Sequence, residues 1–291
     1  MAVQQHEQPG GTDGQDQETA AVQMLFRGGL KGRFSTEFCT LQSAVDALEC
    51  CLQAGDSDSA REQAGLLLAE MNRSISRLER LAENTADLAM AGRVAALEPF
   101  ATEEMRHYLA DFCACANEEL ALRGASARVV LLQQPDGELV WVKTSLSTVD
   151  SLLANLLSNS LRTDLAAQIT LTLTPDRCLE YTDGALWPAA ACGVLCGGAP
   201  APELAANGST GLLLIRQYAN SLGWTLEVSE PQAGGKTVVR FRLPPCQVCE
   251  NDLVFRSSRH TRTPRAARLR MELDGTLANT TRMGRDLPDF L

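Results

Sequence analysis

The sequence predicts an α+β protein in which a two-layer α/β sandwich, a mixed sheet backed by helices, follows a long antiparallel helical hairpin. Two observations lead to this fold class. Apolar residues recur at intervals of three and four over residues 30–54 and 57–90, which is typical of helices that bury one face. After residue 98, short strand-like runs with short connections alternate with helical patterns. Short connections favour antiparallel neighbours, so the pattern indicates a mixed sheet and not a βαβ unit.

The N-terminal segment, residues 1–22, is acidic and rich in Gln, Gly, Asp and Glu, with few large apolar side chains. Such a composition cannot offset the entropy of ordering, so we expect a disordered tail. The whole chain of 291 residues carries a formal net charge of -10. It has no apolar run of the roughly 18 residues that a bilayer requires and no secretory signal, so we expect a cytoplasmic protein without a membrane partner.

Residues 23–97 are predicted to form a dimerisation hairpin. Gly55, Asp56 and Ser57 supply a helix breaker and a cap between its two apolar stripes. The stripes consist of Leu41, Val45, Leu48 and Leu52 in the first helix and Met71, Ile75 and Leu78 in the second. A hairpin of this kind has little core of its own, and pairing two hairpins into a four-helix bundle is the usual solution. We therefore expect a homodimer through residues 30–90.

Residues 98–245 are predicted to form the sandwich. The periodicities predict helices over residues 102–123, 146–162 and the segment after Gly211, and strands over residues 128–134, 138–143, 168–174, 177–182, 225–229 and 236–243. The helix over residues 146–162 contains LLANLLSNSLRT, in which Asn155 and Asn159 stand four residues apart and therefore share one face. Buried amides destabilise unless they are hydrogen bonded, so the pair is either a satisfied core network or a ligand site.

Three later segments favour the ligand site. YTDGA ends a strand with Asp183, a carboxylate that can accept from an exocyclic amine. NGSTGLLLIRQYANSLGW contains Gly208 and Gly211 in a loop that runs into a helix, where free amides favour phosphate. GGKTVVRFRLP places Thr237 at the start of an alternating strand.

In order and spacing, these segments resemble the ATP-binding domain of sensor histidine kinases, the fold shared with gyrase and Hsp90-type ATPases, over about residues 100–244. The resemblance implies ATP and Mg²⁺ as cofactors. It implies that Asn159 coordinates Mg²⁺, with Asn155 as the first asparagine of the same box, and that Arg162 approaches the phosphates. It further implies that Asp183 recognises the adenine amino group.

By the same resemblance, Gly208 and Gly211 belong to the phosphate loop and Thr237 lies beside the adenine. The sequence also departs from the family pattern. Ala185 and Trp187 stand where glycines are usual after the acid, and Asn207, Ser209 and Thr210 replace family residues in the loop. Backbone that approaches phosphate closely normally needs glycine, so these changes predict weakened nucleotide affinity.

The first hairpin helix contains FSTEFCT, which is similar to the phospho-acceptor box of the family, but Thr36 stands where the family has His. A threonine hydroxyl needs a base to remove its proton, so we expect no autophosphorylation at this position. Glu37 and Thr40 keep the ExxT spacing that, in the family, assists dephosphorylation of a response regulator receiver domain. The alternative is that Glu37 is a solvated charge and Thr40 a small bundle-facing residue.

Residues 246–291 have no family counterpart, and we expect a largely disordered Arg-rich tail. It carries six arginines and no acid between Arg256 and Arg270, without the aromatic interleaving of nucleic-acid-binding segments, so nucleic acid is not expected as a partner. The ten cysteines indicate reduced thiols, and Cys246 with Cys249 forms a CxxC pair of open role.

The sequence thus predicts a histidine-kinase-like ATP-binding protein of a bacterial two-component pathway, acting as a response-regulator phosphatase or nucleotide-dependent regulator. The alternatives are a non-enzymatic dimeric scaffold with a vestigial nucleotide pocket and an anti-sigma-factor-type serine/threonine kinase.

Overall fold

The computed structural model describes residues 30–53, 58–90, 100–132, 139–198, 210–229, 235–246 and 258–277, with side chains of the last segment from Pro264 onward. The predicted tail over residues 1–22, the loop residue Gly208 and Cys249 lie outside these ranges. No described helix combines the length and apolar character that crossing a bilayer requires.

Two long antiparallel helices, α1 (Lys31–Gln53) and α2 (Asp58–Ala89), form the hairpin expected from the sequence. An ion pair of 3.2 Å between Arg77 Nη1 and Glu37 Oε2 joins them. In the single chain the stripe residues Leu52 and Ile75 are exposed, and Phe38 at 59% and Leu66 at 55% add further exposed apolar surface. The hairpin therefore has apolar surface left for a further partner.

The central sheet has five strands, namely β2 (Arg128–Leu132), β4 (Gln168–Leu173), β5 (Cys178–Thr182), β6 (Thr225–Val228) and β7 (Val239–Arg242). Their order across the sheet is β2-β4-β5-β7-β6. Strands β2 and β4 pair in parallel and the other neighbours are antiparallel, so the predicted mixed sheet is confirmed. Alternation is visible in β4, where Ile169, Leu171 and Leu173 are buried and the residues between them are not.

Three helices, α3 (Met105–Leu122), α4 (Leu146–Thr163) and α6 (Thr210–Ser221), share one core with the sheet. A short helix, α5 (Ala189–Leu195), contributes to the edge of this core. The largest fully buried side chains include Trp224, Tyr181, Tyr218 and Phe241. This packing holds α4, which carries both asparagines, between the sheet and the remaining helices.

The predicted helix over residues 102–123 starts later than expected. Residues Ala101–Glu104 form strand β1, which pairs with β3 (Trp141–Thr144) in a separate two-stranded sheet. The Glu104 carboxylate then caps α3 by accepting from the backbone N–H groups of Arg106 and His107.

The largest correction concerns the predicted disordered Arg-rich tail over residues 246–291. Within it, residues Ser258–Leu277 form helix α7, which packs against α2, α3 and α4. Leu269 and Leu273 are buried, and the Arg265 guanidinium bonds to Asp150 at 2.8 Å while lying 4.4 Å from the Tyr108 ring centroid. The arginines thus neutralise acids of distant elements, and α7 joins the hairpin to the sandwich.

Candidate functional site

The two asparagines of α4 face the first turn of α6. A Cβ atom added to Gly211 would lie 3.1 Å from Asn159 Oδ1 and 3.4 Å from Asn155 Oδ1. Only a residue without a side chain permits this approach without a shift. The structure therefore brings together three residues that the sequence predicted to be near one another.

The amides of this pair are incompletely satisfied. Asn155 donates from Nδ2 to the Ser151 carbonyl at 2.9 Å. Asn155 Oδ1 and Asn159 Nδ2 are buried and have no hydrogen-bond partner among the described residues. Because buried polar atoms without partners are rare, each one needs an explanation. A bound polar ligand at this end of α6 would supply the missing partners.

A second group of residues surrounds the Asp183 carboxylate, on the neighbouring face of α4. Ser160 Oγ donates to Asp183 Oδ2 at 2.5 Å, and the Ala185 backbone N–H donates to Oδ1 at 3.0 Å. Tyr181 Oη lies 2.6 Å from Ser160 Oγ. Since the single Ser160 proton goes to the carboxylate, the phenol must donate to Ser160. This chain of bonds fixes the orientation of the carboxylate, and burial raises the pKa of Tyr181, which keeps the phenol protonated.

Trp187 also bonds to this carboxylate. Its Nε1–H lies 3.2 Å from Asp183 Oδ1 and 3.1 Å from Oδ2. Its backbone N–H donates to Thr237 Oγ1 at 2.8 Å, and the Thr237 backbone N–H donates to the Ala185 carbonyl at 3.0 Å. Thr237 is almost fully buried. Asp183 and Thr237 therefore meet in one place, as predicted, with Trp187 between them.

A small cavity of about 150 Å³ lies beside this group. Its lining comes from the end of α4 and from the segment after β5, and it comprises Ser160, Thr163, Asp164, Ala167, Asp183, Gly184 and Ala185. Pockets for complete small-molecule ligands usually measure about 300–1,000 Å³. The cavity has room for part of a ligand such as a heterocyclic base.

Arg162 lies on the hairpin side of α4. It keeps an exposed surface, yet desolvation by the surrounding protein, followed by the positive charges of Arg80 and Arg33, lowers its pKa to about 9. Among the described residues, no hydrogen bond or ion pair joins Arg162 to the group around Asp183. Its neighbourhood is polar, because Arg80 bonds to Ser158 Oγ at 2.6 Å and pairs with Glu272 of α7 at 2.5 Å.

The residues of the phospho-acceptor segment lie on α1. Thr36 is exposed and donates its hydroxyl to the Gly32 carbonyl at 2.9 Å, while Thr40 donates to the Thr36 carbonyl at 3.0 Å. The Glu37 carboxylate is paired with Arg77 of α2. Thr36 therefore has no base aimed at its hydroxyl among the described residues, and Glu37 is not the free solvated charge of the alternative interpretation.

The described residues contain no group of three or more His, Cys, Asp or Glu side chains that could hold a metal ion by themselves. Asn159 offers an amide oxygen, which suits a hard cation such as Mg²⁺, but Mg²⁺ is usually held jointly by protein and substrate phosphates. The residues fit Mg²⁺ only as part of a nucleotide complex.

Sequence reasoning missed the partners of Asp183. Tyr181 and Asp183 are two residues apart at the end of β5, and Ser160 follows Asn159 in α4. The two-residue spacing places Tyr181 and Asp183 on one side of the strand, which was the available signal. The sequence identifies Trp187 only as a departure from a glycine pattern, and its N–H bond to Asp183 has no signal in the sequence.

No family model and no curated protein matches the chain. Among solved structures, it is similar to the ATP-binding domain of PrrB from Mycobacterium tuberculosis, with a TM-score of 0.39 and 17% identity over 52% of this chain and 100% of that one. It is also similar to the Acinetobacter baumannii histidine kinase AdeS, with a TM-score of 0.42 and 13% identity over 70% and 95% of the two chains.

A third similar structure is that of a bacterial phosphotransferase, with a TM-score of 0.38 and 11% identity over 81% of this chain and 98% of that one. These are likenesses between chain folds. What the chain does must therefore be derived from its own residues.

Proposed function

We propose that this chain is a histidine-kinase-like, nucleotide-dependent regulator of a bacterial two-component pathway, which binds Mg²⁺-ATP and does not phosphorylate itself at Thr36. The observation that carries the proposal is the grouping of Asp183 with Thr237 beside a small cavity, next to the two asparagines that face Gly211. A carboxylate can bind the amino group of a purine base, and side-chain amides can bind a complex of Mg²⁺ with phosphate. These residues therefore suit a purine nucleotide.

In this proposal, each residue has a separate task. The Asp183 carboxylate, oriented by Ser160 and Tyr181, accepts from the exocyclic amine of the base. The unpaired atoms Asn155 Oδ1 and Asn159 Nδ2 gain partners at the start of α6, where the helix dipole favours phosphate. Bound Mg²⁺ would neutralise phosphate charge there, held by the Asn159 amide oxygen together with the phosphates and water.

The absence of self-phosphorylation follows from the setting of Thr36. Its hydroxyl proton is donated to a backbone carbonyl, and the neighbouring carboxylate of Glu37 is occupied by Arg77. An alcohol becomes a good nucleophile only when a base removes its proton. The nucleotide then acts as a conformational ligand that alters how the hairpin meets its partner.

The partner we propose is a response regulator receiver domain, docking on a homodimer formed through residues 30–90. A groove of about 590 Å³ on the hairpin is lined by residues that include Ser35, Thr36, Thr40 and Glu70. In the phosphatase form of the proposal, Glu37 and Thr40 orient the water that attacks the phosphorylated receiver. Glu37 would then have to leave Arg77, which makes this activity dependent on the conformation of the hairpin.

A non-enzymatic scaffold with a vestigial pocket is the second candidate, and the indole of Trp187 favours it. With Ser160, Ala185 and Trp187 as donors, Asp183 already has three partners inside the chain. A carboxylate offers about four acceptor positions, so little capacity remains for a ligand while Trp187 stays in place.

The nucleotide site is tested by titrating the full chain with a fluorescent ATP analogue and Mg²⁺. Asn159→Ala and Asp183→Ala should each weaken binding by roughly tenfold or more, because each removes a polar contact with a charged partner. Asn220→Ala is the matched control, since this exposed amide lies at the far end of α6. Equal binding by all four proteins would contradict the mapped site.

Phosphoryl chemistry is tested with radiolabelled ATP and with a phosphorylated receiver domain. We expect no acid-labile label on this chain, because phosphohistidine is acid-labile and Thr36 replaces the histidine. Release of phosphate from the receiver that is lost in Thr40→Ala would support the phosphatase form. If Thr40→Ala releases phosphate from the receiver as fast as wild type does, the phosphatase form is contradicted. The chain would then be a nucleotide-dependent regulator only.

A further inference from the structure

We infer that Trp187 is an internal competitor for the purine pocket: its indole holds Asp183 until a 6-aminopurine nucleotide displaces it. This inference rests on the proposed nucleotide site and adds its regulation. It starts from the position of the ring, whose Nε1–H is shared between both oxygens of the carboxylate at 3.1 and 3.2 Å. That carboxylate is the acceptor assigned to the amino group of the base.

The indole resembles the ligand it would exclude. Both indole and purine are flat, bicyclic and aromatic, and both present an N–H donor at the edge that meets the carboxylate. The cavity left beside Asp183 measures about 150 Å³, which is too small for a whole nucleotide. Trp187 does not line this cavity, but its indole bonds to both oxygens of the Asp183 carboxylate at the cavity wall. A base therefore gains these acceptor positions only when the indole leaves them.

The hydrogen bonds indicate which part of Trp187 moves. Its backbone is anchored, because its N–H donates to Thr237 Oγ1 at 2.8 Å and Thr237 in turn donates to the Ala185 carbonyl. The ring is held less tightly, since its shared bond is longer than the usual 2.9–3.0 Å for an N–H to oxygen contact. Side-chain rotation can therefore release the ring while the backbone stays in place.

The exposure of this segment also favours a moving side chain. Trp187 is half-buried, and Leu186 beside it is 62% exposed. No helix or strand contains residues 183–188. The indole packs partly against the hydrophobic core and has an exposed side that can turn towards solvent. Tyr181 and Ser160, which hold the other side of the carboxylate, are buried and cannot leave.

Competition of this kind has a measurable effect on affinity. When only a fraction of molecules has the pocket open, the apparent dissociation constant rises by the inverse of that fraction. Removing the indole N–H opens the pocket and should therefore tighten nucleotide binding, which is the opposite of what loss of a ligand-contacting residue does. Trp187 is in this respect distinct from Asp183 and Asn159.

The test uses the full chain, Mg²⁺ and a fluorescent ATP analogue. Trp187→Phe keeps an aromatic ring but removes the N–H, and Trp187→Ala removes the ring as well. We expect Trp187→Phe to bind roughly tenfold more tightly than wild type, since a hydrogen bond to a charged group no longer has to be broken. Leu186→Ala, which changes the exposed neighbour, should bind as wild type does.

A second readout follows Trp187 directly. Unlabelled Mg²⁺-ATP should change the intrinsic tryptophan fluorescence of wild type as the ring moves into water, and this change should be absent in Trp187→Phe. If both Trp187 variants bind the nucleotide measurably but no more tightly than wild type, Trp187 is not a competitor, while the nucleotide site still stands. No binding by any folded variant at millimolar nucleotide overturns both the competitor and the proposed function.

Discussion

Gly211 shows how the absence of one side chain sets the distance between two helices. Its Cα faces both amides of α4, and an added Cβ would lie 3.1 Å from Asn159 Oδ1. Elsewhere, Gly65 of α2 has no heavy atom within 4 Å of an added Cβ. The same glycine-to-alanine change therefore meets a crowded site at one position and open space at the other.

We expect Gly211→Ala to lower the free energy of unfolding by about 1 kcal/mol or more through overpacking. Gly65→Ala should raise it by about 0.5–1 kcal/mol, because alanine restricts the unfolded chain and favours a helix. Urea denaturation of both variants measures these opposite signs. A stabilised Gly211→Ala would contradict the close contact between α6 and the two asparagines.

Burial of Cys113 gives a prediction for alkaline pH. Desolvation raises the pKa of this thiol to about 12, against an ordinary value of 9.0. Below pH 9 the thiol is protonated in both folded and unfolded chains, so its contribution to stability is complete there. Between about pH 9 and 12 only the unfolded thiol ionises, and that contribution is lost as pH rises.

At pH 9, Cys113 should therefore resist alkylation in the folded protein, whereas the exposed Cys39 and Cys50 should react. Peptide mass spectrometry after a short iodoacetamide pulse identifies the modified residues. Rapid labelling of Cys113 in folded protein at pH 9 would contradict its burial in the sandwich core.

At the scale of elements, helix α7 shows where prediction from sequence reaches its limit. The strands and the two hairpin helices were predictable because each repeats a local pattern of apolar residues. Helix α7 is Arg-rich, and its stability depends on acids far away in the chain. Arg265 pairs with Asp150, 115 residues apart, and Arg123, at the C-terminal cap of α3, pairs with Asp274 across 151 residues. Such long-range ion pairs leave no signal in a local window.

The same limit applies to the candidate site. Asn155, Asn159 and Gly211 lie in separate segments whose order resembles one known family, so their proximity could be expected. The bond from Trp187 to Asp183 could not be expected from the sequence, because tertiary packing sets the direction of a side chain in an irregular segment.

If α7 is an integral element, truncating its buried apolar side chains should destabilise the whole chain. Leu273 is fully buried, and Leu273→Ala should lower the free energy of unfolding by about 2–5 kcal/mol. Leu122→Ala is the matched control, because Leu122 is 76% exposed and its loss should change stability by less than about 0.5 kcal/mol. Thermal or denaturant unfolding followed by circular dichroism distinguishes the two, and equal effects would contradict the docking of α7.

At the scale of the whole molecule, the hairpin presents apolar surface while its opposite side is occupied by the sandwich and α7. Phe38 and Leu66 are more than half exposed, and α2 uses Arg80 and Asp87 to contact α4, α6 and α7. The exposed apolar side is therefore the surface available to a second copy of the chain.

We expect the full chain to be dimeric at micromolar concentration in sedimentation velocity. Phe38→Glu and Leu66→Glu should shift it towards monomer, because each places a charge in a desolvated interface. Leu186→Glu, a change at an exposed leucine of the sandwich, should leave the mass unchanged. A monomeric wild type would contradict the proposed dimer.

The position of α7 late in the chain has a consequence for synthesis on the ribosome. Arg80 emerges early, but Glu272 and Thr276, which hold its guanidinium, emerge almost two hundred residues afterwards. Ser158 is made in between, but the charge of Arg80 stays without its acidic partner until Glu272 has been translated. Docking of the hairpin through α7 is therefore a late step, and a ribosome stalled before α7 would display the hairpin without its contacts to this helix.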